Sequence, residues 1–407
     1  MAISLKAPTN LLPIPGIRLS TAAAGIKYKD RNDLVLFEIC EGANTAVVLT
    51  TNQFCAAPVE LTRKHLAVSK PKYLLINSGN ANAGLGKKGI DDATQTCVAL
   101  AAEAKCKETE VLPFSTGVIG EPLPIYKISR SLPALFASLE EDAWLEAAKA
   151  IMTTDTVPKG CSDQIDIDKG SISITGIAKG AGMIRPDMAT MLAYVVTDLE
   201  VNDENLNTLL KLAVEQSFHC ITVDGDTSTN DACVLVATGK SKIKFDDLSV
   251  ADKEAFLASL NLVFLKLAQA IIRDAEGVTK FISVKVEQAK DLSMARAIAF
   301  NIAHSPLVKT AAFASDPNWG RILAAAGRAR QQPMQIDKVS LFINEKAVID
   351  CGELAASYSE KEGQREMKKD EIQFRLSLGE GEGNTDVTVW TTDLSYDYVK
   401  INAEYRT

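Results

Sequence analysis

The sequence predicts a layered α/β or α+β protein. Strand-like and helix-like segments interleave along its whole length, with no fixed-period repeat and no low-complexity tract. Apolar residues are 46% and charged residues 24% of 407, ordinary proportions for a globular chain with a sizeable core. That length suggests two domains or lobes.

The elements follow in order. Residues 34–39 and 45–51 are short apolar runs with β-branched residues, and both read as strands. Residues 73–77 read as another strand, ending in the turn-rich Asn77-Ser-Gly-Asn-Ala-Asn82. An alanine-rich helix over 91–107 and a second over 139–152 come next. Residues 171–177 alternate as a strand does, the glycine-rich turn Lys179-Gly-Ala-Gly182 follows, and 190–196 read as a buried strand. Helices are expected over 202–218 and 250–273, then 292–303 and 318–328. Strands are expected over 281–286, 339–344 and 387–392. The charged stretch 360–370 reads as a solvated loop.

The net charge of −8 repels nucleic acid and anionic membrane where no basic patch compensates, and no long basic run is present. Neither class of partner is expected. Eight scattered cysteines form no Cys-x-x-Cys pair, which fits small buried side chains in a reducing cytoplasm. Three isolated histidines argue against a zinc site and a histidine-dependent triad. The first ten residues lack the apolar segment of a secretory signal. No stretch reads as the ~20 apolar residues of a membrane span.

The chemistry concentrates in residues 176–194. Gly180 and Gly182 allow tight turns and close approach of backbone to a ligand. Lys179 stands at the mouth of that turn, where it could hold an anion. Pro186 breaks the chain, and Thr190 opens an apolar strand. By local pattern alone, Thr190 reads as a β-branched strand residue.

A set of motifs changes that reading. They are Ala178-Lys-Gly-Ala-Gly-Met-Ile with Met188-Ala-Thr-Met-Leu, Asp224-Gly-Asp-Thr-Ser-Thr-Asn-Asp231, Thr153-Thr-Asp-Thr156 and Ser115-Thr-Gly-Val-Ile-Gly120. To these are added Asp274-Ala-Glu-Gly277, Asn77-Ser-Gly-Asn-Ala-Asn82, Asp316-Pro-Asn-Trp-Gly-Arg321 and the C-terminal Ile401-Asn-Ala-Glu-Tyr-Arg-Thr407. In this order, across nearly the whole chain, they resemble the ornithine acetyltransferase (ArgJ) family. Two departures are Arg185, where a small apolar residue is expected, and residues 84–88.

The resemblance implies a layered α/β sandwich of the ArgJ/DmpA type, two lobes with the active site between them. It implies self-cleavage between Ala189 and Thr190 into an α fragment, 1–189, and a β fragment, 190–407. Threonine is a poor nucleophile without a nearby base, and cleavage gives Thr190 its own α-amine, with a reference pKa of about 8. Acetyl would then pass from N-acetylornithine to Thr190 and on to glutamate by a ping-pong route in arginine biosynthesis. Thr116 and Gly117 would form the oxyanion hole. Thr153, Lys179, Thr190, Glu276, Asn402 and Thr407 would bind substrate, Lys179 at a carboxylate and Glu276 at an ammonium. The resemblance implies no cofactor and no metal, a cytoplasmic enzyme, and a heterotetramer of two α and two β fragments. Acetyl-CoA as a second acetyl donor is left open.

Asp224, Asp226 and Asp231 start like a calcium loop, but Gly225 follows the first aspartate, Thr229 takes the sixth place and Leu235 the twelfth. The stretch reads as a polar structural loop. Two other readings remain: a self-processed threonine amidase or aminopeptidase with water as acceptor, and a non-catalytic binding protein with an intact chain.

Overall fold

A computed structural model describes residues 2–185, 191–330, 333–381 and 385–404. Its contacts divide the chain into two compact units.

The larger unit comprises Lys6–His219 and Asp226–Ile271. Its strands are β1 (Ile17–Ala22), β2 (Leu34–Ile39), β3 (Asn44–Leu49), β4 (Tyr73–Asn80), β5 (Val111–Val118), β6 (Lys159–Ile167), β7 (Gly170–Lys179), β8 (Leu192–Thr197) and β9 (Ala232–Ala237). Its helices are α1 (Ala57–Leu66), α2 (Lys87–Ala104), α3 (Ile125–Ala137), α4 (Trp144–Ala150), α5 (Asp203–Glu215) and α6 (Val250–Arg273), the last running to the unit's edge. The strands form two sheets, ordered β1-β2-β4-β5 and β3-β9-β8-β7-β6.

These sheets pack face to face. Val35, Phe37, Leu74, Ile76, Leu112 and Phe114 of the first meet Ile177, Tyr194, Val196 and Val234 of the second, with Trp144 among them. The outer face of the first sheet buries Leu34, Leu36, Leu75 and Val111 against Ala93, Cys97, Leu100, Ile128 and Leu132 of α2 and α3. On the second sheet, a side chain at Gly176 would touch Val263 and Leu267 of α6. The unit is therefore helix, sheet, sheet, helix in section. Strand alternation serves both faces of each sheet, which is why β4, β5, β8 and β9 read as near-continuous apolar runs.

Contrary to the sequence expectation, one helix, α6, is long and apolar enough to cross a membrane by length and composition. Its buried positions Phe256, Leu260, Val263, Phe264, Leu267 and Ile271 recur every three or four residues, the spacing of a helix laid on a core.

The smaller unit comprises Met1–Leu5, Cys220–Gly225 and Ile272–Thr407. Its strands are β10 (Phe281–Glu287), β11 (Ser340–Ile343), β12 (Lys346–Asp350), β13 (Glu353–Leu354), β14 (Glu371–Ser377) and β15 (Val387–Thr392), in the order β13-β12-β11-β14-β10-β15. Its helices are α7 (Leu292–Ala303), α8 (Pro306–Phe313), α9 (Trp319–Ala326), α10 (Glu360–Met367) and α11 (Tyr396–Ala403). Ile282, Val284, Phe374 and Leu376 pack against Ile298, Ile302, Ala312 and Ile322.

Three local expectations change. The asparagine-rich stretch is not a turn from Asn77 onward, because β4 continues to Asn80, paired with β5 in parallel as Asn77↔Ser115, Ser78↔Thr116 and Gly79↔Gly117. Its polar side chains are satisfied inside: Ser115 donates to Asn77 Oδ1 at 2.6 Å, Ser78 to the Ala150 carbonyl at 2.7 Å, and Asn80 to that of Glu121 at 3.0 Å. Turn-forming residue types thus stand in a buried strand once each has a partner. The stretch 360–370 is not a solvated loop. It forms α10, capped by Ser359, whose hydroxyl accepts the Glu362 N–H, and it buries Gly363, Glu366 and Met367. The helix expected over 139–152 is confined to α4, and α3, with Pro133 inside it, carried no clear sequence signal. Of the eight cysteines, none in a disulfide, Cys97, Cys220 and Cys233 are buried, while Cys351 is exposed and the rest lie between. The expectation of small buried side chains holds for three only.

Candidate active site

Lys179 is the last residue of β7, and Thr116 lies near the end of β5, the edge strand of the other sheet. The Lys179 ammonium donates to Thr116 Oγ1 at 3.1 Å, bridging the two sheets. Lysine can only donate, so Thr116 accepts there and its own O–H proton points elsewhere. Gly117 has φ +135°, and a side chain on it would come within 2.3 Å of the Gly79 carbonyl carbon. Glycine alone fits this close pairing of two backbones.

Behind Lys179 lies a fully buried ion pair. Asp155 Oδ1 accepts from Lys159 Nζ at 2.7 Å and from the Gly180 N–H at 2.8 Å, and Oδ2 accepts the Thr153 N–H at 3.0 Å. Burial alone would raise the Asp155 carboxyl. The Lys159 and Lys179 charges and these hydrogen bonds overcome it and hold the group well below the usual carboxylate range. Thr153 and Lys179, far apart in sequence, are thus tied to one carboxylate.

The same end of the sheet carries Asp231. It immediately precedes β9, whose first residue, Ala232, donates its N–H to the Met191 carbonyl at 2.9 Å. Leu192 pairs with both Lys179 and Ala232. Burial pushes the Asp231 carboxyl well above its ordinary value, against the Ser228 hydrogen bonds and the Lys179 charge. Its Oδ2 is buried with no hydrogen-bond partner among the described residues. Asn230 beside it donates to the carbonyls of Ala81 at 2.6 Å and Ser115 at 2.9 Å, stitching this loop to the β4 and β5 ends.

In the smaller unit, Asn402 of α11 donates to Glu276 Oε2 at 2.8 Å and to the Tyr398 carbonyl at 3.0 Å. Glu276 is nearly buried, at 9% exposure. The helix is tied to residues 274–277 at its start, where Ser395 Oγ donates to the Gly277 carbonyl at 2.6 Å.

Structure therefore joins Thr116, Gly117, Thr153 and Lys179 in one unit, and Glu276 with Asn402 in the other. Ala189, Thr190 and Thr407 lie outside the described residues. Asp224 falls in the smaller unit, and Asp226 and Asp231 in the larger. Among the described residues no group of three or more His, Cys, Asp or Glu side chains is placed to hold a metal. Sequence reasoning missed Lys159, whose only signal is its spacing of four from Asp155, and Asn230, which looks like any loop asparagine.

The ArgJ family profile matches residues 18–407. The chain belongs to the ArgJ family. The arginine biosynthesis bifunctional protein ArgJ of Methylococcus capsulatus is 52% identical over 397 residues, 98% of this chain and 97% of that protein. The protein of the same name from Psychrobacter arcticus is 49% identical over 404 residues, 99% of each. A crystal structure of the arginine biosynthesis bifunctional protein ArgJ from Bacillus halodurans is 36% identical, covers 53% of this chain and 99% of that one, and has a TM-score of 0.49.

Proposed function

We propose that this chain is a self-processed glutamate N-acetyltransferase of arginine biosynthesis, cytoplasmic and assembled from two α and two β fragments. It moves acetyl from N-acetylornithine to glutamate, and it also acetylates glutamate from acetyl-CoA, as the word bifunctional in its relatives' names suggests. The observation that carries the reading is the Lys179–Thr116 hydrogen bond, on a chain of this family.

Thr190 Oγ attacks the Ala189 carbonyl carbon. Collapse of the adduct breaks the C–N bond and frees the Thr190 α-amine, with the Ala189 acyl group now an ester on Oγ. Water hydrolyses that ester to the Ala189 carboxylate and the free Thr190 hydroxyl. That amine takes the Thr190 hydroxyl proton when the hydroxyl attacks the acetyl carbonyl of N-acetylornithine. The tetrahedral oxyanion needs donors already in place. Thr116 supplies its O–H, free to donate because Lys179 occupies its acceptor side, and Gly117 supplies its N–H. Ornithine leaves, protonated at its nitrogen. Glutamate nitrogen then attacks the acetyl ester by the reverse sequence. Lys179 binds a substrate carboxylate, and Glu276, held by Asn402, binds an ammonium. Thr153 and Thr407 complete the substrate contacts.

The test is intact mass, with and without brief exposure to N-acetylornithine. Wild type is expected as two fragments, with Thr190 at the new N-terminus and one acetyl added to the β fragment after exposure. Thr190→Ala is expected as one uncut chain. A single uncut wild-type chain would overturn the reading.

A further inference from the structure

The Asp224-Gly-Asp stretch is not absorbed by the proposed chemistry, yet its first residue is built into the smaller unit. The Tyr398 hydroxyl donates to Asp224 Oδ2 at 3.1 Å. Lys309 of α8 lies behind. Its ammonium is fully buried, donating to Thr391 Oγ1 at 3.0 Å, Thr392 Oγ1 at 3.2 Å and the Thr392 carbonyl. Burial lowers its pKa to about 8, while the charges of Asp393 and Asp224 act to raise it. Asp224 therefore lies in the field of a fixed cation and receives a phenol.

That phenol belongs to α11. Four residues on from Tyr398, one helical turn, is Asn402, which donates to both the Tyr398 carbonyl and Glu276. The helix start touches the turn that carries Glu276: a side chain on Gly277 would come within 2.4 Å of the Tyr398 nitrogen, and Gly277 takes φ +65°. Yet α11 buries none of its residues. Its apolar contacts are slight, the exposed Tyr396 meeting Phe313 edge-on with ring centroids 5.4 Å apart, so polar ties carry most of its orientation.

We propose that Asp224 is a positioning residue: by accepting the Tyr398 hydroxyl it fixes the rotation of α11, so that Asn402 meets Glu276 and orients that carboxylate toward an alkylammonium substrate. This rests on the reading of Glu276 as the ammonium partner. Asp224 itself touches no substrate. Its effect is on binding of the ammonium-bearing substrate, not on the threonine chemistry.

The experiment pairs steady-state kinetics with calorimetric binding of L-ornithine, using the full-length protein as purified. Tyr398→Phe removes one hydroxyl and is expected to raise the N-acetylornithine KM and the ornithine Kd about tenfold, with kcat within about twofold, the loss expected for one charge-assisted hydrogen bond. Asp224→Ala is expected to match it. Asp224→Asn, which keeps an acceptor oxygen, is expected to restore affinity to within about threefold of wild type. In a Glu276→Gln background, Tyr398→Phe is expected to change ornithine affinity by less than about twofold, because the two act through one path. Unchanged ornithine affinity in both Tyr398→Phe and Asp224→Ala would overturn the inference, whatever the transferase does. So would an equal loss in the Glu276→Gln background, or a fall in kcat without a rise in KM. Weakened ornithine binding in a protein that transfers no acetyl would overturn the transferase reading and leave the positioning inference standing.

Discussion

Lys179 and Glu276 are both charged and both 9% exposed, but different kinds of structure hold them. Lys179 ends a strand paired to β6 and β8, and behind it lies the Asp155–Lys159 pair, whose side chains have no exposed surface. Glu276 sits in a turn and is held by a side chain from an eight-residue helix with no buried residue. A strand end inside two packed sheets opens only with the unit. A short exposed helix opens by itself at small cost. Rigid donors suit a transition-state charge that needs preorganisation. A helix that releases suits the proposed departure of ornithine after acetyl transfer.

The largest expected effect tests the rigid half. Gly117→Ala places a methyl 2.3–2.7 Å from the backbone of Gly79 and Asn80, so β4 and β5 must part. Stability is expected to fall by ~3 kcal/mol or more, and transfer by about 10²–10³, the effect of losing one oxyanion donor. Urea unfolding and kcat measure the two. Near-normal transfer would show that this pairing does not build the site.

A second test separates two buried carboxyls in the same unit. Asp155 is held below its ordinary value. Its contribution to stability is therefore fully present above the unfolded pKa, 3.8, and is lost as pH falls through the lower folded value. Asp231 is raised well above 3.8. The folded state keeps a proton that the unfolded chain releases, so stability falls as pH rises from about 4 towards the folded value. Asp155→Asn is expected to destabilise by ~2 kcal/mol at pH 7 and least in acid, because it leaves Lys159 without its charge partner. Asp231→Asn is expected to stabilise by ~1 kcal/mol at pH 7, with the gain vanishing near pH 4. Denaturant midpoints across pH 4–8 give both slopes. Parallel slopes would break the contrast.

The smallest effect sharpens the flexible half. Ser395→Ala removes the α11 cap, worth ~1 kcal/mol. Amide exchange in α11 is expected to quicken about fivefold while the global unfolding midpoint stays put. A matching drop in the midpoint would mean that α11 is part of the cooperative core.

Much of the fold was legible. The ends of β2, β15, α6 and α7 match the apolar runs and periodicity of the sequence, since burial on one or two faces leaves its spacing in the chain. Polar segments misled. Asn77 to Asn80 carry turn-forming types, and their placement in β4 depends on partners at residues 115, 121 and 150. In α10, charges mask a helix that buries only one narrow side. The candidate site was legible as motifs, through resemblance, but not as geometry. No local pattern distinguishes Lys179 from a loop lysine, or marks Lys159 as a fully buried cation.

By itself, the sequence determined the alternation of strands and helices, the apolar runs of the core, the motifs of the ArgJ family and a threonine placed where cleavage would free an amine. Those depend on residue type and near neighbours. Tertiary structure alone decided that Thr116 accepts from Lys179, 63 residues away in sequence, across two sheets, that the Asp155 carboxyl is held below its ordinary value and that of Asp231 pushed above it, and that Asp224 reaches Tyr398 over 174 residues. Protonation and hydrogen-bond direction depend on which charges and donors lie within a few ångströms, and only folding sets that.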